Sequence, residues 1–295
     1  TGRLICLDRD ETAIEAAKIR LADYKDRVTL VHSNFSRIAD VLREMDVDGV
    51  DGMLFDLGVS SPQLDEADRG FSYMHDAPLD MRMDRTAALT ARDVVNDWSY
   101  EDLRRILFEY GEERYAPAIA KAIVSRRQES PIETTGQLVS IIRGAMPPAA
   151  LREKQHPAKR SFQAIRIAVN DELTAVERVM GDAISRLAPR GHLAVITFHS
   201  LEDRIVKNAM QDAAKGCTCP PEFPVCVCGK KPQVKLLTRK PVTASREELE
   251  EVVAELRQLE ELGALNAPDD YRDIELQEPG VVKAMCLHAA HDCNL

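Results

Sequence analysis

The sequence predicts an α/β fold in which an open parallel sheet is interrupted by an inserted helical domain. Three observations lead to this prediction. Short apolar runs alternate with helical patterns over residues 1–84, and residues 85–164 carry helical patterns alone. An apolar run typical of a strand then returns at 192–198. Because strands that alternate with helices pair in parallel, the later strand is expected to rejoin the first sheet.

Three strands are predicted before the insertion, at residues 4–7, 28–31 and 50–55. Apolar residues between these strands recur at helical spacing. Ligands of open parallel sheets bind beyond the carboxyl ends of the strands. Asp8, Phe35 and Asp56 each lie just past a strand end, and we therefore expect all three to border one crevice.

The insertion contains three helical runs, which proline-containing loops separate, at 100–110, 116–127 and 135–143. A segment of this length can form a small domain. We therefore expect a discontinuous core of residues 1–84 and 165–243 around a helical domain of 85–164. A C-terminal helix and a weakly patterned tail are expected over 244–295.

Beyond the insertion, one long amphipathic helix is predicted over 169–187, and a turn follows at Pro189–Gly191. A last strand is predicted over 234–238. The C-terminal helix is expected to begin at Ser245, where Glu248 completes a capping box.

Composition narrows the class of protein. The chain has 295 residues and a net charge of −10, which argues against non-specific binding of polyanions but leaves room for a local basic face. Neither a long apolar span nor a signal-peptide pattern is present in the sequence, so we expect no membrane segment and a reducing compartment. In such a compartment the seven cysteines are expected to be thiols or metal ligands rather than disulfides.

Asp8 and Phe35 each have two interpretations. An acidic residue at the end of the second strand of a nucleotide-binding sheet accepts hydrogen bonds from ribose, and Asp8 fits this pattern if a strand and a glycine loop precede it. Otherwise Asp8 is a solvated strand end, since Asp10 is the better helix cap. Phe35 either covers an adenine face or packs in the core.

Residues 56–63 concentrate polar groups just after a predicted strand. Asp56, Ser60, Ser61 and Gln63 offer acceptors and donors there, while Gly58 permits an unusual turn. Such groups can hold and orient a reacting group, with Asp56 and the two serines as the candidate catalytic residues. The alternative is a purely structural turn.

Two further stretches are candidates for substrate contact. Residues 69–84 are aperiodic and rich in aromatic, methionine and charged side chains, and we interpret them as an active-site lid in which Asp80 and Arg82 contact substrate. Residues 152–166 form a local basic stretch that suits RNA phosphates, with a solvated linker as the alternative. Phe162 in this stretch either stacks on a base or packs in the core. The basic residues are Arg152, Lys154, Lys159, Arg160 and Arg166.

Two C-x-C units lie close together in the sequence, at Cys217, Cys219, Cys226 and Cys228. Four thiolates so placed could hold a structural zinc ion, but the spacing departs from the common C-x-x-C knuckle. Zinc and free thiols are both left open, and no metal site is assigned at this point.

Several long motifs together resemble one family. The match runs from Gly2 to about Thr243 and resembles the RsmH (MraW) family of bacterial ribosomal RNA small-subunit methyltransferase H enzymes. The motifs that carry the resemblance are Asp56–Gln63, Arg69–Ser72, Leu79–Asp84, Tyr110–Arg114, His156–Arg166, Asn170–Leu173 and Phe198–Arg204.

The resemblance implies a Rossmann-like class I methyltransferase core with a helical insertion for substrate recognition. It implies S-adenosyl-L-methionine-dependent methylation of N4 of a cytidine in the decoding centre of 16S rRNA, in the cytoplasm. The implied cofactor residues are Asp8, Phe35, Asp56 and Gln63. The expected RNA-binding residues are Arg82, Lys159, Arg160 and Arg166. The expected partner is 16S rRNA or the small ribosomal subunit, with a homodimer as a further expectation.

Two departures from the family pattern qualify these expectations. The family's first strand and glycine-rich loop precede the point at which this sequence begins, so the chain as written is expected to bind cofactor poorly, and the parent gene is expected to encode that loop. The stretch 247–295 is acidic, whereas the family's tail is basic. The alternatives are an inactive ribosome-binding relative and a methyltransferase for another RNA base.

Overall fold

The computed structural model describes residues 2–217, 219–220, 225, 227–238, 240–248, 250 and 254. These residues fall into two compact units, which divide between Val234 and Lys235. The first unit contains the strands β1 (Leu4–Asp8), β2 (Val28–His32), β3 (Val50–Asp56) and β4 (Leu187–Ile196). Its helices are α1 (Glu11–Arg20), α2 (Ile38–Glu44), α3 (Ser61–Asp65), α4 (Ala91–Asp97), α5 (Tyr100–Glu109), α6 (Ala116–Arg127), α7 (Thr135–Ala145), α8 (Lys159–Asn170), α9 (Glu172–Ser185) and α10 (Ser200–Ala214).

The strands pair in parallel, as predicted. β1 pairs with β2 from Leu4–Val28 to Asp8–His32, and β3 pairs with β4 up to Asp56–Ile196. Within the described residues the ladders are two separate pairs rather than one continuous sheet. The carboxyl ends of β1 and β3 carry Asp8 and Asp56, so the chain places both carboxylates at strand ends.

β4 begins earlier than predicted. Its strand runs from Leu187, and the expected turn at Pro189–Gly191 is a bulge within it. Val50 pairs with Leu187 and Gly52 with His192, so the extra residues of β4 are accommodated between these two pairs. Arg190 adopts a positive φ of 72°, which marks the irregularity.

The long helix predicted over 169–187 is wrong in its boundaries. α8 ends at Asn170, and α9 begins at Glu172. Asp171 between them has the left-handed conformation, with φ 49°. Aspartate tolerates this conformation better than most residues and so can separate two helices without a glycine. Most of the basic stretch, from Lys159 onward, is therefore helix rather than linker.

Two hydrophobic cores organise the first unit. One lies among the inserted helices, around fully buried residues such as Leu107, Ile119 and Ile142. The other lies between the β3–β4 pair and helices α2, α9 and α10. β3 turns Met53 and Phe55 into this second core, whereas Leu54 on its opposite face is 57% exposed. β3 is thus buried on one face only.

Of the two elements predicted near the C-terminus, the strand at 234–238 is wrong and the start of the helix at Ser245 is confirmed. Residues 234–238 are not a strand. None of them pairs with a neighbouring strand, and the Leu237 side chain is exposed. The capping box at Ser245 is confirmed: its N–H donates to Glu248 Oε2 at 2.7 Å, and the Glu248 N–H donates to Ser245 Oγ at 3.1 Å. Most of the predicted helix after Glu250, and the whole tail beyond 254, lie outside the described residues. In the described part of the chain, no helix combines the length and apolar character that a membrane crossing requires.

Candidate active site

Asp8 and Asp10 begin the site at the carboxyl end of β1. The N–H of Asp10 donates to Asp8 Oδ1 at 2.8 Å, and Asp10 in turn caps α1 by accepting from the N–H of Thr12 at 3.1 Å. Asp8 keeps an exposed surface. The surrounding protein displaces enough water to raise the pKa of Asp8 above its ordinary value. Its carboxyl is therefore open to a ligand and already partly desolvated.

A network of buried polar side chains lies next to the carboxyl end of β1. Asp10 Oδ2 accepts from Gln63 Nε2 at 2.8 Å and from Arg69 Nη2 at 2.7 Å. The side chains of Arg69 and Asp10 are each 4% exposed. Burial alone would raise the pKa of Asp10, but the hydrogen bonds from Gln63, Thr12 and Arg69 and the charge of Arg69 hold it below its ordinary value. Asp10 is consequently a buried carboxylate with an ionic partner.

Gln63 connects this network to the turn after β3. Its Nε2 donates to Asp10, and its Oε1 accepts from the N–H of Ser60 at 3.1 Å. The residue is 6% exposed. The amide nitrogen and oxygen of Gln63 together position the turn relative to α1. The predicted contact of Gln63 with a cofactor stays a prediction.

The turn itself brings the three candidate catalytic residues together. Asp56 ends β3 with an exposed side chain, and the half-buried Ser60 and Ser61 follow at the start of α3. Gly58 has φ 92°, and a Cβ on it would lie 3.2 Å from the Phe198 ring. Glycine is needed here for both conformation and space. The turn is thus shaped to hold a carboxylate and two hydroxyls at one strand end.

Phe35 lies just beyond β2 and is half-buried. Its ring meets that of Phe55 edge to face, with centroids 5.8 Å apart and an angle of 72° between the planes. Phe35 therefore packs on the second core while part of its ring surface remains accessible.

The interpretation of residues 69–84 as a lid is wrong. Leu79, Met81 and Met83 are buried in the core of the inserted helices. The Asn170 side chain, itself buried, donates to Met81 O at 2.7 Å and accepts from the N–H of Met83 at 2.9 Å. Buried apolar residues in a segment that is mostly without regular secondary structure carry no helical period, which is why the sequence pattern resembled a loop. This segment is a fixed connector between the two cores.

The Phe198–Arg204 motif forms a cluster whose connections the sequence did not reveal. Glu202, 1% exposed, accepts from the N–H of Phe198 at 2.9 Å, and His199 Nε2 lies 3.3 Å from its other oxygen. Burial works against ionisation of Glu202, yet the bonds from His199 and Phe198 keep its pKa lowered. From the sequence, Ser200 is expected to cap the helix, but the structure places His199 at the cap, and the buried glutamate has no distinctive spacing that would reveal its role.

Glu112 links the inserted helices to the Phe198–Arg204 cluster by polar contacts. Its carboxylate accepts from Ser200 Oγ at 3.1 Å and lies 3.5 Å from Arg204 Nη2. Glu112 has φ 48°, a left-handed conformation that is strained for a residue other than glycine. The turn after α5 therefore contacts the start of α10.

A model described as the MraW methylase family matches residues 1–259. The chain belongs to the MraW methylase family. The predicted fold class, an α/β Rossmann-like core of a class I methyltransferase, is thereby confirmed together with the parallel strands.

Curated relatives agree with this assignment. A protein of Brevibacillus brevis is 58% identical over 249 residues, which cover 84% of this chain and 79% of that protein. A protein of Symbiobacterium thermophilum is 60% identical over 248 residues, covering 84% and 78%. A protein of Heliobacterium mobile is 56% identical over 249 residues, covering 84% and 80%. Each of these relatives is named ribosomal RNA small subunit methyltransferase H.

Two of the predicted RNA-binding residues of this MraW methylase have carboxylate partners. Arg82 donates to both oxygens of Asp80 at 2.8 and 2.7 Å. Arg166 donates to both oxygens of Glu172 at 2.9 and 3.0 Å. Bidentate pairing neutralises both guanidinium groups locally. RNA contact by either residue stays a prediction.

The remaining cationic residues of the predicted basic stretch lie near the start of α8. Arg160 is exposed and donates to the carbonyl of Glu112, and Lys159 is half-buried. Arg152 and Lys154 are exposed just before the helix. These four residues, Arg152, Lys154, Lys159 and Arg160, are called the α8 basic patch below.

Phe162 packs in the core, which decides between its two interpretations. It is 3% exposed and lies edge-on to Tyr73, with centroids 5.7 Å apart. His156 stacks flat on the same tyrosine at 4.5 Å. Burial, and then the charge of Arg143, lower the pKa of His156, so its imidazole adds no positive charge to the patch at neutral pH.

Proposed function

We propose that this MraW methylase transfers a methyl group from S-adenosyl-L-methionine to the N4 amino group of a cytidine in the decoding centre of 16S rRNA. The observation that carries the proposal is the turn after β3, which presents the Asp56 carboxylate with the hydroxyls of Ser60 and Ser61 at a strand end. The names of relatives 56–60% identical to the chain support the RNA substrate. The cytoplasm would then be the site of action.

The residues at the strand ends fit the cofactor. Asp8 offers an open carboxylate for ribose hydroxyls, which is the usual role of an acidic residue at this position. Phe35 offers ring surface for the adenine, and Asp56 and Gln63 lie at the adjoining strand end. When bound, S-adenosyl-L-methionine supplies an electrophilic methyl group on its sulfonium.

Asp56 and the two serines would act on the base. The amino group of cytosine is a poor nucleophile because its lone pair is delocalised into the ring. Acceptors that hold its N–H groups favour the geometry in which the nitrogen lone pair points away from them and towards the electrophile. A cysteine nucleophile is not required, since the target is an amino nitrogen rather than a ring carbon.

The α8 basic patch is the proposed contact for the RNA backbone. Lysine and arginine bind phosphate oxygens irrespective of sequence and make affinity strongly dependent on salt. Arg160 and Lys159 would bind phosphates directly. Arg82 and Arg166, held by Asp80 and Glu172, would reach RNA only by exchanging those partners.

The decisive experiment uses protein expressed from its native gene. It is incubated with methyl-labelled S-adenosyl-L-methionine and with small ribosomal subunits from a strain that lacks the modification. The RNA is digested, and its nucleosides are identified by mass spectrometry. N4-methylated cytidine is the expected product. Another methylated nucleoside would refute the base assignment, and ribosome binding without methyl transfer would indicate an inactive relative.

Asp56→Ala tests the assigned chemistry within that assay. We expect kcat to fall on the order of 10²–10³-fold, because the loss of a positioned polar group costs about that much. Asp51→Ala is the matched control, since Asp51 is an exposed aspartate nearer the start of β3. Near-normal turnover in Asp56→Ala would rule out the proposed role of this residue.

A further inference from the structure

The loop after α10, of which the structure describes residues 215–217, 219–220, 225 and 227–233, has its two ends held together. The helix ends at Ala214, and the N–H of Gln233 returns to donate to the carbonyl of Ala213 at 2.8 Å. Between these points the described residues contain neither helix nor strand. A loop of this kind has little core of its own, and small modules without a core usually depend on a cross-link.

Three cysteines converge within this loop. The sulfur atoms of Cys217, Cys219 and Cys228 all lie within 4.8 Å of one another. Cys217 and Cys228 are exposed, and Cys219 is half-buried. The described residues of the loop bring these sulfurs together outside any helix or strand.

The separation of the sulfurs matches a shared metal ion. Cys217 Sγ and Cys228 Sγ are 3.7 Å apart. Ligands at about 2.3 Å from a tetrahedral zinc ion lie about 3.8 Å from one another. A disulfide would require about 2.05 Å between the sulfurs. The geometry thus suits ligands around one ion rather than a covalent bridge.

Backbone groups already point at two of the sulfurs. The N–H of Cys219 donates to Cys217 Sγ at 3.4 Å, and the N–H of Val227 donates to Cys219 Sγ at 3.4 Å. Such donors stabilise thiolate ligands and orient them. Lys230 and Lys231, which follow Cys228 closely in the sequence, are exposed.

We propose that Cys217, Cys219 and Cys228 bind one zinc ion, which closes the loop after α10. Thiolate ligands select zinc over the hard cations magnesium and calcium. The role is structural, because none of the described residues of the loop is buried or lies in a helix or strand. Cys226 lies outside the described residues, and the fourth ligand is not assigned.

Metal content of the full chain tests the proposal. Protein purified under reducing conditions from zinc-containing medium is analysed by inductively coupled plasma and native mass spectrometry. We expect one zinc ion per chain in the wild type and in the control Cys6→Ser, whose cysteine lies in β1. Cys217→Ser and Cys228→Ser should each lose the ion. Metal-free wild type, or equal retention in all variants, would overturn the proposal.

A second measurement uses wild-type protein alone and so does not depend on the folding of variants. The thiols of metal-free wild type are titrated with a chromogenic disulfide before and after addition of zinc. The three cysteines of the cluster should become unreactive when zinc is added, and a chelator should restore them. Cobalt should give thiolate-to-metal charge-transfer absorption in the same protein. Unchanged thiol reactivity together with no cobalt absorption would also overturn the assignment.

Discussion

The carboxylate of Asp10 and the guanidinium of Arg69 lie 2.7 Å apart, and 4% of each side chain is exposed. Arg69 also donates to the carbonyls of Arg82 and Met83. Removal of one partner from such a pair leaves a buried charge without compensation, which costs far more than the pair itself contributes. At the residue scale, the Asp10–Arg69 pair is therefore needed to stabilise the carboxyl end of β1, where Asp8 lies.

Arg69→Met is therefore expected to lower the free energy of unfolding by about 3–5 kcal/mol. The matched control is Arg92→Met, because Arg92 pairs with Glu133 at the same 2.7 Å but both side chains are about half exposed. An exposed pair contributes far less, because solvent screens its charges. Urea denaturation followed by circular dichroism measures both. Equal losses in the two variants would contradict the argument.

The lowered pKa of Asp10 predicts an acid dependence of stability. The unfolded chain binds a proton at Asp10 more readily than the folded chain does. Its contribution is therefore fully present above the ordinary aspartate pKa and is lost as the pH falls through the lower folded value. In Asp10→Asn, unfolding free energy should fall less steeply with acidification than in wild type. An unchanged slope would show that Asp10 is not preferentially ionised in the fold.

Sequence reasoning identified Asp8, Asp56 and Gln63 as neighbours of strand ends because apolar runs mark where strands stop. It did not identify the role of Arg69, whose partner Asp10 is 59 positions away. A contact of that range depends on how the segments pack, and no local pattern records it.

At the scale of elements, the connector formed by residues 69–84 depends on one glycine. Gly70 has φ 70°, and a Cβ there would overlap the carbonyl oxygen of Pro78. The N–H of Met81 donates to Arg69 O at 3.0 Å across the same turn. Both conformation and space thus restrict this position to glycine.

Gly70→Ala should therefore destabilise the protein by at least about 1–2 kcal/mol, since it adds left-handed strain to a steric clash. Gly181→Ala is the control: Gly181 lies inside α9, where an added Cβ meets nothing within 4 Å. Alanine there should stabilise the helix by roughly 0.5–1 kcal/mol. Thermal unfolding of both variants measures the difference, and the same sign of change in both would refute the reasoning.

The break between α8 and α9 shows what periodicity leaves undetermined. The apolar pattern continues through Asp171, so the sequence predicts one helix. The break accompanies the hydrogen bonds of Asn170 to Met81 and Met83, which lie 89 and 87 positions away. Helices α6 and α7, whose limits are set by local prolines and caps, were predicted closely.

At the scale of the whole molecule, the hydrophobic core of the inserted helices extends beyond the predicted limits of the insertion, 85–164. The core of the inserted helices includes buried residues outside 85–164, namely Phe71, Leu79, Met81, Met83, Ile165 and Val169. Burial of each such side chain contributes roughly 1.5–3 kcal/mol. Together they are comparable to the whole stability of a small domain, about 5–15 kcal/mol.

A fragment of residues 69–170 should therefore unfold cooperatively, whereas a fragment of 85–164 should not. Circular dichroism during heating and the dispersion of amide signals in NMR spectra distinguish the two. A sharp thermal transition in the shorter fragment would restore the limits 85–164. The longer fragment loses Asp10, so Arg69 must become solvated at its new terminus.

The hydrogen bonds of Asn170 determine which substitutions positions 81, 83 and 170 can accept over evolutionary time. Its amide donates to the carbonyls of Met81 and Arg166 and accepts from the N–H of Met83, so its hydrogen bonds to residues 81 and 83 involve their backbone and not their side chains. Those two positions can drift among apolar residues of similar volume without loss of either hydrogen bond. Asn170 has no such freedom, because neither aspartate nor leucine both donates and accepts in the same place. Mutational tolerance at this junction is therefore asymmetric.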